Sequence, residues 1–275
     1  MNFNDLTIRL ETSEDYYEVE NVARETFWTE SWSIEPQITD IHLLVSRLRK
    51  CPSYEPRLHF IAELNGKIVG HIIYSKSKIV DNTGTNHEML TFGPLSVLPE
   101  YQNKGIGKKL MLHSFEEAKK LGYRAVLIYG YPSYYPRVGF KHAADFGIRS
   151  AGSDDECENA YDAFMIYPLY DGAMDGINGE YHIDPVYHDL KPEDIAEYDK
   201  KFPPKELFTP TSINVLLPKL EPPAKKAITD LNFPTLNMLT TKSEREIRRL
   251  EGIDENAIET ICLVMRENGK YWGDK

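Results

Sequence analysis

The chain has 275 residues, longer than most single domains, so that one large domain or two unequal ones are expected. Hydrophobic residues make up 41% of it and tyrosines number 17, which is enough apolar surface to form a core and excludes a disordered polymer. The net charge of −11 argues against broad binding of nucleic acid or anionic lipid and favours cationic substrates such as amines, although an acidic surface can also serve solubility alone.

The sequence indicates neither an N-terminal targeting signal nor a membrane-spanning segment. The first twenty residues lack a basic region followed by an apolar run, and no stretch reaches the apolar length of a membrane span. The three cysteines, Cys51, Cys157 and Cys262, are too far apart for a disulfide framework or a paired-cysteine metal site. We therefore expect a cytoplasmic protein with no membrane association and no metal.

The first third of the chain alternates strand and helix patterns. Residues 8–11 predict a short strand, and Thr12 and Ser13 begin a helix that runs to about Glu25. A second helix is predicted over 38–48 from apolar residues at helical spacing. Two apolar segments, 59–62 and 68–74, flank Asn65-Gly66, the strongest short hairpin signal in the sequence.

The next segments extend the same pattern. A strand is predicted over 89–97, a helix from about Gly105 that ends at Gly122, a buried strand over 125–129 and a further strand over 161–167. Helices therefore pack on a mixed sheet, an arrangement of the α/β or α+β type.

The composition of the sequence changes at Pro203. Prolines recur from there to Pro223 with little periodicity, which is typical of a linker, and the residues that follow have a helical pattern. The predicted domains are accordingly residues 1–202, a linker at 203–223, and a small helical domain at 224–275.

A glycine-bearing turn at Gln102 to Lys109 joins a predicted strand to a predicted helix. Unpaired N–H groups of a first helical turn attract anions, and glycines let a phosphate approach the main chain. Gly105 and Gly107 are too close together for a Walker loop, and Leu110 stands where a dinucleotide fingerprint needs glycine or alanine. The turn thus predicts a phosphate site of another kind.

The spacing Gln102-x-x-Gly105-x-Gly107 resembles the pyrophosphate motif of the GNAT acetyltransferases. Two further features of that family follow in order: a buried strand ending at Tyr129, and Tyr135-Pro-Arg-Val-Gly139-Phe140, which is similar to its Tyr-x-x-x-Gly-Phe signature. The resemblance covers residues 5–170 and extends to about 200. It implies a mixed, mostly antiparallel twisted sheet flanked by helices.

The resemblance also implies site residues and a cosubstrate, acetyl-CoA. Main-chain groups of Leu95, Ser96 and Val97 would pair with the pantetheine arm and hold the thioester carbonyl. Tyr135 would protonate the departing thiolate, with Tyr134 as its rival. The main-chain N–H groups that would bind the pyrophosphate belong to Gln102, Asn103, Lys104, Gly105, Ile106, Gly107 and Lys108.

The resemblance implies direct transfer of acetyl to a primary amine of a small molecule or peptide, without a metal or a covalent acyl-enzyme. A group must also take a proton from that amine, and the sequence does not identify it. Glu30 and Glu88 are candidates by position only, and we set His71 and His142 aside as packed or solvated histidines.

The C-terminal segment predicts two helices around a tight turn and resembles the helix-hairpin-helix C-terminal domain of the RNA polymerase alpha subunit. Ser243 and Glu246 form a capping box before the turn Gly252-Ile253-Asp254-Glu255. Two carboxylates in that turn would repel phosphate, so we expect a protein contact such as a homodimer rather than nucleic acid binding.

Two functions follow from the sequence. The first is an N-acetyltransferase. The alternative is an acyl-CoA-sensing regulatory protein whose helical tail contacts DNA or the transcription machinery. The intact glycine turn and Tyr135 favour the enzyme, and the acidic turn of the tail argues against DNA.

Overall fold

The structure is a computed structural model that describes residues 5–28, 38–131, 134–151, 163–207, 210–240, 242, 244–268 and 270. These residues form two compact units. The first comprises Met1–Phe27, Asp40–Gly130 and Tyr134–Pro203, and the second comprises Trp28–Thr39, Tyr131–Ser133 and Pro204–Lys275.

The strands of the first unit belong to one sheet. They are β1 (Leu6–Leu10), β2 (Phe60–Leu64), β3 (Lys67–Val80), β4 (Asn86–Val97), β5 (Ala125–Tyr129), β6 (Lys141–His142), β7 (Ile148–Ser150), β8 (Phe164–Pro168) and β9 (Gly179–His182). Among its described residues the α-helices are α1 (Tyr16–Phe27), α2 (Ile41–Leu48), α3 (Ile106–Lys120) and α4 (Pro192–Asp199).

The sheet is mixed and mostly antiparallel, as predicted. Its main order is β1-β2-β3-β4-β5-β8-β6, while β9 pairs with both β3 and β7. Among the described residues the parallel pairs are β4 with β5 and β7 with β9. One apolar cluster packs α3 on the sheet, and another packs α1 and α2 against side chains of β2 and β3 such as Ile61 and Ile73.

The predicted hairpin is confirmed in its residues. Leu64 pairs with Lys67, so Asn65 and Gly66 form a two-residue turn, and both have positive φ angles (52° and 78°). Such a turn matches the right-handed twist of the strands on either side. The predicted helices at the N-terminus and after Gly105 and the predicted strands β1, β4 and β5 are also present, with ends shifted by a few residues.

The strand predicted over 161–167 is β8, which begins at Phe164, while residues 161 and 162 lie outside the described residues. Four elements of the first unit were not predicted: β6, β7, β9 and α4. They are short, and β7 and β9 are held by a parallel pair between segments about thirty residues apart, Ile148 with Gly179.

The second unit has its own apolar cluster and four short helices among its described residues: α5 (Pro222–Asp230), α6 (Leu236–Leu239), α7 (Glu244–Ile247) and α8 (Glu255–Glu267). Ile213, Leu216 and Leu220 are buried in this cluster, although they lie in the predicted linker. Part of that segment therefore packs with the helices that follow it, because its apolar residues are spaced three and four apart. The boundaries at 202 and 223 stay predictions.

The predicted capping box cannot be compared, since Ser243 lies outside the described residues. The next helix, α8, is capped by Asp254, whose Oδ1 accepts a hydrogen bond from the N–H of Ala257 at 2.8 Å. None of the helices in the described part of the chain is long and apolar enough to cross a bilayer.

Candidate active site

The site begins where β4 and β5 separate. These parallel strands pair at Leu90 with Val126 and at Thr91 with Leu127. From Phe92 to Val97, β4 pairs only with β3 among the described strands, through registers such as Ser96 with His71. The β5-facing main-chain groups of Leu95 to Val97 are therefore not used within the sheet. An extended ligand can hydrogen-bond to those that have no other partner, which excludes the Val97 carbonyl because it accepts from the Gln102 side chain.

A tight turn leads from the end of β4 into α3. The side-chain amide of Gln102 donates a hydrogen bond to the carbonyl of Val97 at 3.0 Å, which ties the turn to the strand. Asn103 and Gly105 have positive φ angles of 58° and 79°, and Gly105 is the N-cap of α3. Glycine adopts this left-handed conformation without strain. Because glycine has no side chain, no capping group covers the start of the helix.

The first turn of α3 presents donors to this space. The N–H groups of Ile106, Gly107 and Lys108 precede the first intrahelical hydrogen bond, which Lys109 donates to the carbonyl of Gly105 at 3.0 Å. The N–H of Gln102 is different, because it already donates to the carbonyl of Pro99 at 3.3 Å. Of the N–H groups that the sequence analysis assigned to the pyrophosphate, that of Gln102 is therefore already used in a turn.

Gly107 lies beside the strand that carries the first part of the site. A Cβ added there would lie 3.6 Å from Leu95 and 3.8 Å from Val97, so the predicted thioester and pyrophosphate segments are adjacent. The same Cβ would lie 3.2 Å from the hydroxyl of Tyr134. Leu95, Val97 and the start of α3 thus form one surface with an anion-binding end.

The two lysine side chains of the predicted phosphate segment lie in different surroundings. Lys104 donates to the carbonyl of Glu100, and its ammonium lies 5.3 Å from the centre of the Tyr101 ring. Lys108 is exposed on the first turn of α3.

The two candidate tyrosines occupy different environments. The ring of Tyr135 packs inside the site, 6.0 Å from the Phe92 ring and 5.4 Å from the Phe140 ring, both between centroids. Tyr134 is 37% exposed and its hydroxyl faces Gly107, while partial burial raises the pKa of that hydroxyl. Tyr135 is thus beside the point where β4 leaves β5, and Tyr134 is beside the helix start.

The structure adds a residue that the sequence did not indicate. Gly130 lies directly under the Tyr135 ring, since a Cβ built on Gly130 would be 2.1 Å from Cε2 of Tyr135. No spacing rule marks this glycine, because the contact depends on how residues 134–140 fold back on β5.

The candidates for the base are not brought into the site. Glu88 is on the N-terminal half of β4, 59% exposed and paired with Lys76, and Glu30 lies outside the described residues. Across the ranges that the structure describes, no group of three or more His, Cys, Asp or Glu side chains could hold a metal ion.

Comparison with known proteins finds similar sequences for part of the chain. Residues 15–140 match the acetyltransferase (GNAT) family. Two relatives from Escherichia coli, both described as uncharacterized N-acetyltransferases, are YjhQ of strain K12, 35% identical over 101 residues, and YhbS, 30% identical over 119 residues. The matches span 37% and 42% of this chain, and 55% and 66% of the relatives' own lengths.

Solved structures share the fold. YhbS from E. coli in complex with CoA has a TM-score of 0.56 and 22% identity, covering 68% of this chain and 94% of its own. A GNAT acetyltransferase from Brucella melitensis in complex with acetyl-CoA has a TM-score of 0.51 and 24% identity, covering 66% of this chain and 97% of its own. Residues 15–140 of the chain are therefore similar in sequence to the acetyltransferase (GNAT) family, and the two solved structures share the fold.

Proposed function

We propose that this protein transfers an acetyl group from acetyl-CoA to a primary amine of a small molecule or peptide. The observation that carries the proposal is the adjacency of two features: the main chain of Leu95 to Val97, which does not pair with β5, and the start of α3 at Gly107, which no side chain caps. The complexes of the two solved relatives with CoA and acetyl-CoA support the same cosubstrate.

The residues fit that cosubstrate. Three N–H groups at the positive end of the α3 dipole suit a pyrophosphate, and the missing side chain at Gly107 lets it approach the main chain. The unpaired edge of β4 suits an amide-bearing arm, which would add hydrogen bonds as a strand does. Acetyl-CoA supplies the activated acetyl group.

In this mechanism Tyr135 is the general acid. Its ring is fixed between Phe92, Phe140 and the bare backbone of Gly130, beside the end of the β4 and β5 pairing. A phenol held there can donate its proton to a thiolate as it leaves. Tyr134 lies nearer to the helix start, a position better suited to contact with the arm or the phosphates.

The acceptor is proposed only by chemical class. The net charge of −11 raises the local concentration of cationic amines, which agrees with an amine substrate. The cytoplasmic location stays a prediction.

The C-terminal part of the second unit, from Pro204 onwards, is called the C-terminal unit, and we propose that it contacts another protein. Its resemblance to a helix-hairpin-helix domain and the formation of a homodimer stay predictions. Its acidic turn does not suit phosphate, because the Asp254 carboxylate already caps α8 and Glu255 pairs with Arg248. Neither the relatives nor the described residues support the alternative of an acyl-CoA-sensing regulator.

The experiment is an acetyl-transfer assay. The purified protein is incubated with acetyl-CoA and a panel of polyamines, aminoglycosides, amino acids and peptides while the free thiol is measured. Thiol release that depends on one amine class is the expected result. Binding of acetyl-CoA by calorimetry without release above the amine-free background for any class would contradict the enzymatic proposal.

A further inference from the structure

A cluster of buried polar side chains lies under α1 and α2, on the sheet surface behind the proposed thioester segment. His59, His71 and Ser96 are fully buried. Four of their atoms have no hydrogen-bond partner among the residues that the structure describes: Nε2 of His59, both ring nitrogens of His71 and the Oγ of Ser96. Buried polar atoms nearly always have partners, so this group is exceptional in a folded core.

The three side chains are neighbours. His71 on β3 is the direct cross-strand partner of Ser96 on β4, and partners of this kind project from the same face of a sheet. The rings of His71 and His59 are 5.6 Å apart between centroids. A line of polar groups therefore runs from Ser96, in the middle of Leu95 to Val97, through His71 to His59.

Glu11 gives the line a direction. Its carboxylate lies 2.8 Å from Nδ1 of His59 and also accepts two hydrogen bonds from Arg49, so it is ionised and can only accept. Nδ1 of His59 must then carry the proton, and Nε2 is left as a lone pair that faces away from Glu11. The hydroxyl of Tyr54 also lies near Nδ1, at 3.0 Å.

The charges around His59 favour one added proton. Glu11 and Glu20 face a single cation, Arg49, and all three side chains are at most 9% exposed. These three carry a net charge of −1, which a protonated His59 would cancel. The other charged or titratable groups close to the line form pairs of their own or are neutral: Asp15 with Arg9, Tyr16 under Arg49, and Tyr198, which donates to Glu20.

Burial lowers the pKa of both histidines, so both rings are neutral at rest and each has one nitrogen able to accept a proton. In Glu11, burial acts to raise the pKa, but the hydrogen bonds from His59 and Arg49 outweigh it and lower the pKa. This keeps the carboxylate charged in the resting protein.

We propose that His71 and His59 are relay residues that remove the proton from the acceptor amine through the Ser96 hydroxyl, an inference that rests on the proposed acetyl transfer. The amine N–H bond breaks as a bridging water and then Ser96 take the proton and pass one on to His71. These atoms are not hydrogen-bonded to one another in the described structure, so each transfer requires the Ser96 hydroxyl or a histidine ring to turn towards its neighbour. His71 releases the proton of its other nitrogen to Nε2 of His59. His59 becomes an imidazolium paired with Glu11, and the proton returns to solvent after turnover.

The test compares His71→Leu with the matched variant His182→Leu, which changes a histidine that is 38% exposed on β9. Leucine removes two unpartnered polar atoms, so His71→Leu should melt no lower than the parent protein. Its acetyl transfer at neutral pH should fall ~10²-fold with unchanged affinity for acetyl-CoA. The loss should shrink as the pH rises past the pKa of the amine, because the amine then arrives without its extra proton.

A purely structural His71 would give a different pattern. Full activity of His71→Leu at neutral pH, or a loss that follows stability and is equal at every pH, would overturn the relay. If the parent protein acetylates no amine, that result concerns the proposed function, and NMR of ¹⁵N-histidine-labelled protein then decides the relay. We expect His59 to carry its proton on Nδ1 and His71 to be neutral; a proton on Nε2 of resting His59 would refute the order of transfer.

Discussion

Gly107 and Tyr134 face each other across the start of α3, where a Cβ on Gly107 would lie 3.2 Å from the Tyr134 hydroxyl oxygen. That glycine has no unusual φ angle, so a side chain there would meet no backbone strain and would press only on the Tyr134 hydroxyl. The space next to it is the surface that we assign to the pyrophosphate.

Replacing Gly107 with Val should therefore abolish acetyl-CoA binding and leave the fold intact, because a branched side chain occupies the phosphate surface. Calorimetry measures the affinity and circular dichroism the fold. Glu116→Val is the matched control, since it places the same residue at an exposed position of α3 away from the turn. Unchanged affinity in folded Gly107→Val protein would remove the basis of the CoA assignment.

Tyr135→Phe should lower turnover by ~10²–10⁴-fold with little change in acetyl-CoA affinity, because it keeps the packed ring and removes only the proton donor. Tyr134→Phe is the comparison, and we expect it to act mainly on affinity, since its hydroxyl faces Gly107. The reverse pattern in a thiol-release assay would assign the acid to Tyr134.

Gly130→Ala should also impair protonation of the thiolate, because it displaces the ring of Tyr135 rather than removing its hydroxyl. The new methyl group would lie 2.1 Å from the Tyr135 ring, so the ring must move, and overpacking of this kind costs about 1–3 kcal/mol. We expect a lower melting temperature and lower turnover. Gly93→Ala serves as the stability control, because its Cβ would meet only the Tyr187 ring at 3.5 Å. A stable and fully active Gly130→Ala protein would show that Tyr135 need not be held against the backbone.

The local parts of the site could be predicted from sequence, because each is a short motif whose residues are neighbours in the chain. Asn65-Gly66 and Gly105-Ile-Gly107 carry their own backbone requirements, and the segments on either side follow from their apolar pattern. Contacts between distant segments carry no such signal. Glu11 with His59, and Gly130 under Tyr135, depend on strand pairing and on a fold-back, so neither side chain marks its partner in the sequence.

Stability in acid should depend on Glu55. The Arg57 guanidinium, helped by the Tyr123 hydroxyl, lowers the pKa of this carboxyl from 4.5 to about 2. A carboxyl with a lowered pKa stabilises the fold above pH 4.5, and this contribution is lost as the pH falls towards about 2. Urea unfolding at several pH values should show a shallower decline over that window in Glu55→Gln than in the parent. Glu88→Gln, at a 59% exposed position, should keep the parent's slope; equal slopes in all three proteins would contradict the assignment.

The C-terminal unit should be dispensable for acetyl-CoA binding and should not bind duplex DNA at physiological salt. Truncation after Pro203 tests the first part, because it removes the whole apolar cluster that includes Ile213 and Leu216, whereas a cut at Lys219 would leave those side chains uncovered. Retained acetyl-CoA affinity with a changed oligomeric mass would support a protein-contact role.

Fluorescence anisotropy of the full chain with labelled duplex tests the second part. Nonspecific DNA affinity depends on Lys and Arg side chains that neutralise phosphates and on unpaired main-chain N–H groups at helix N-termini. Beside the turn between α7 and α8, Arg248 is paired with both Glu244 and Glu255, and Asp254 already caps the start of α8. No salt-dependent binding is therefore expected. If Asp254→Asn with Glu255→Gln gains affinity for DNA, the two carboxylates are what excludes phosphate. Salt-sensitive binding by the unaltered protein would instead mean that Arg248 leaves its acidic partners for phosphate, and it would raise the regulatory function above the enzymatic one.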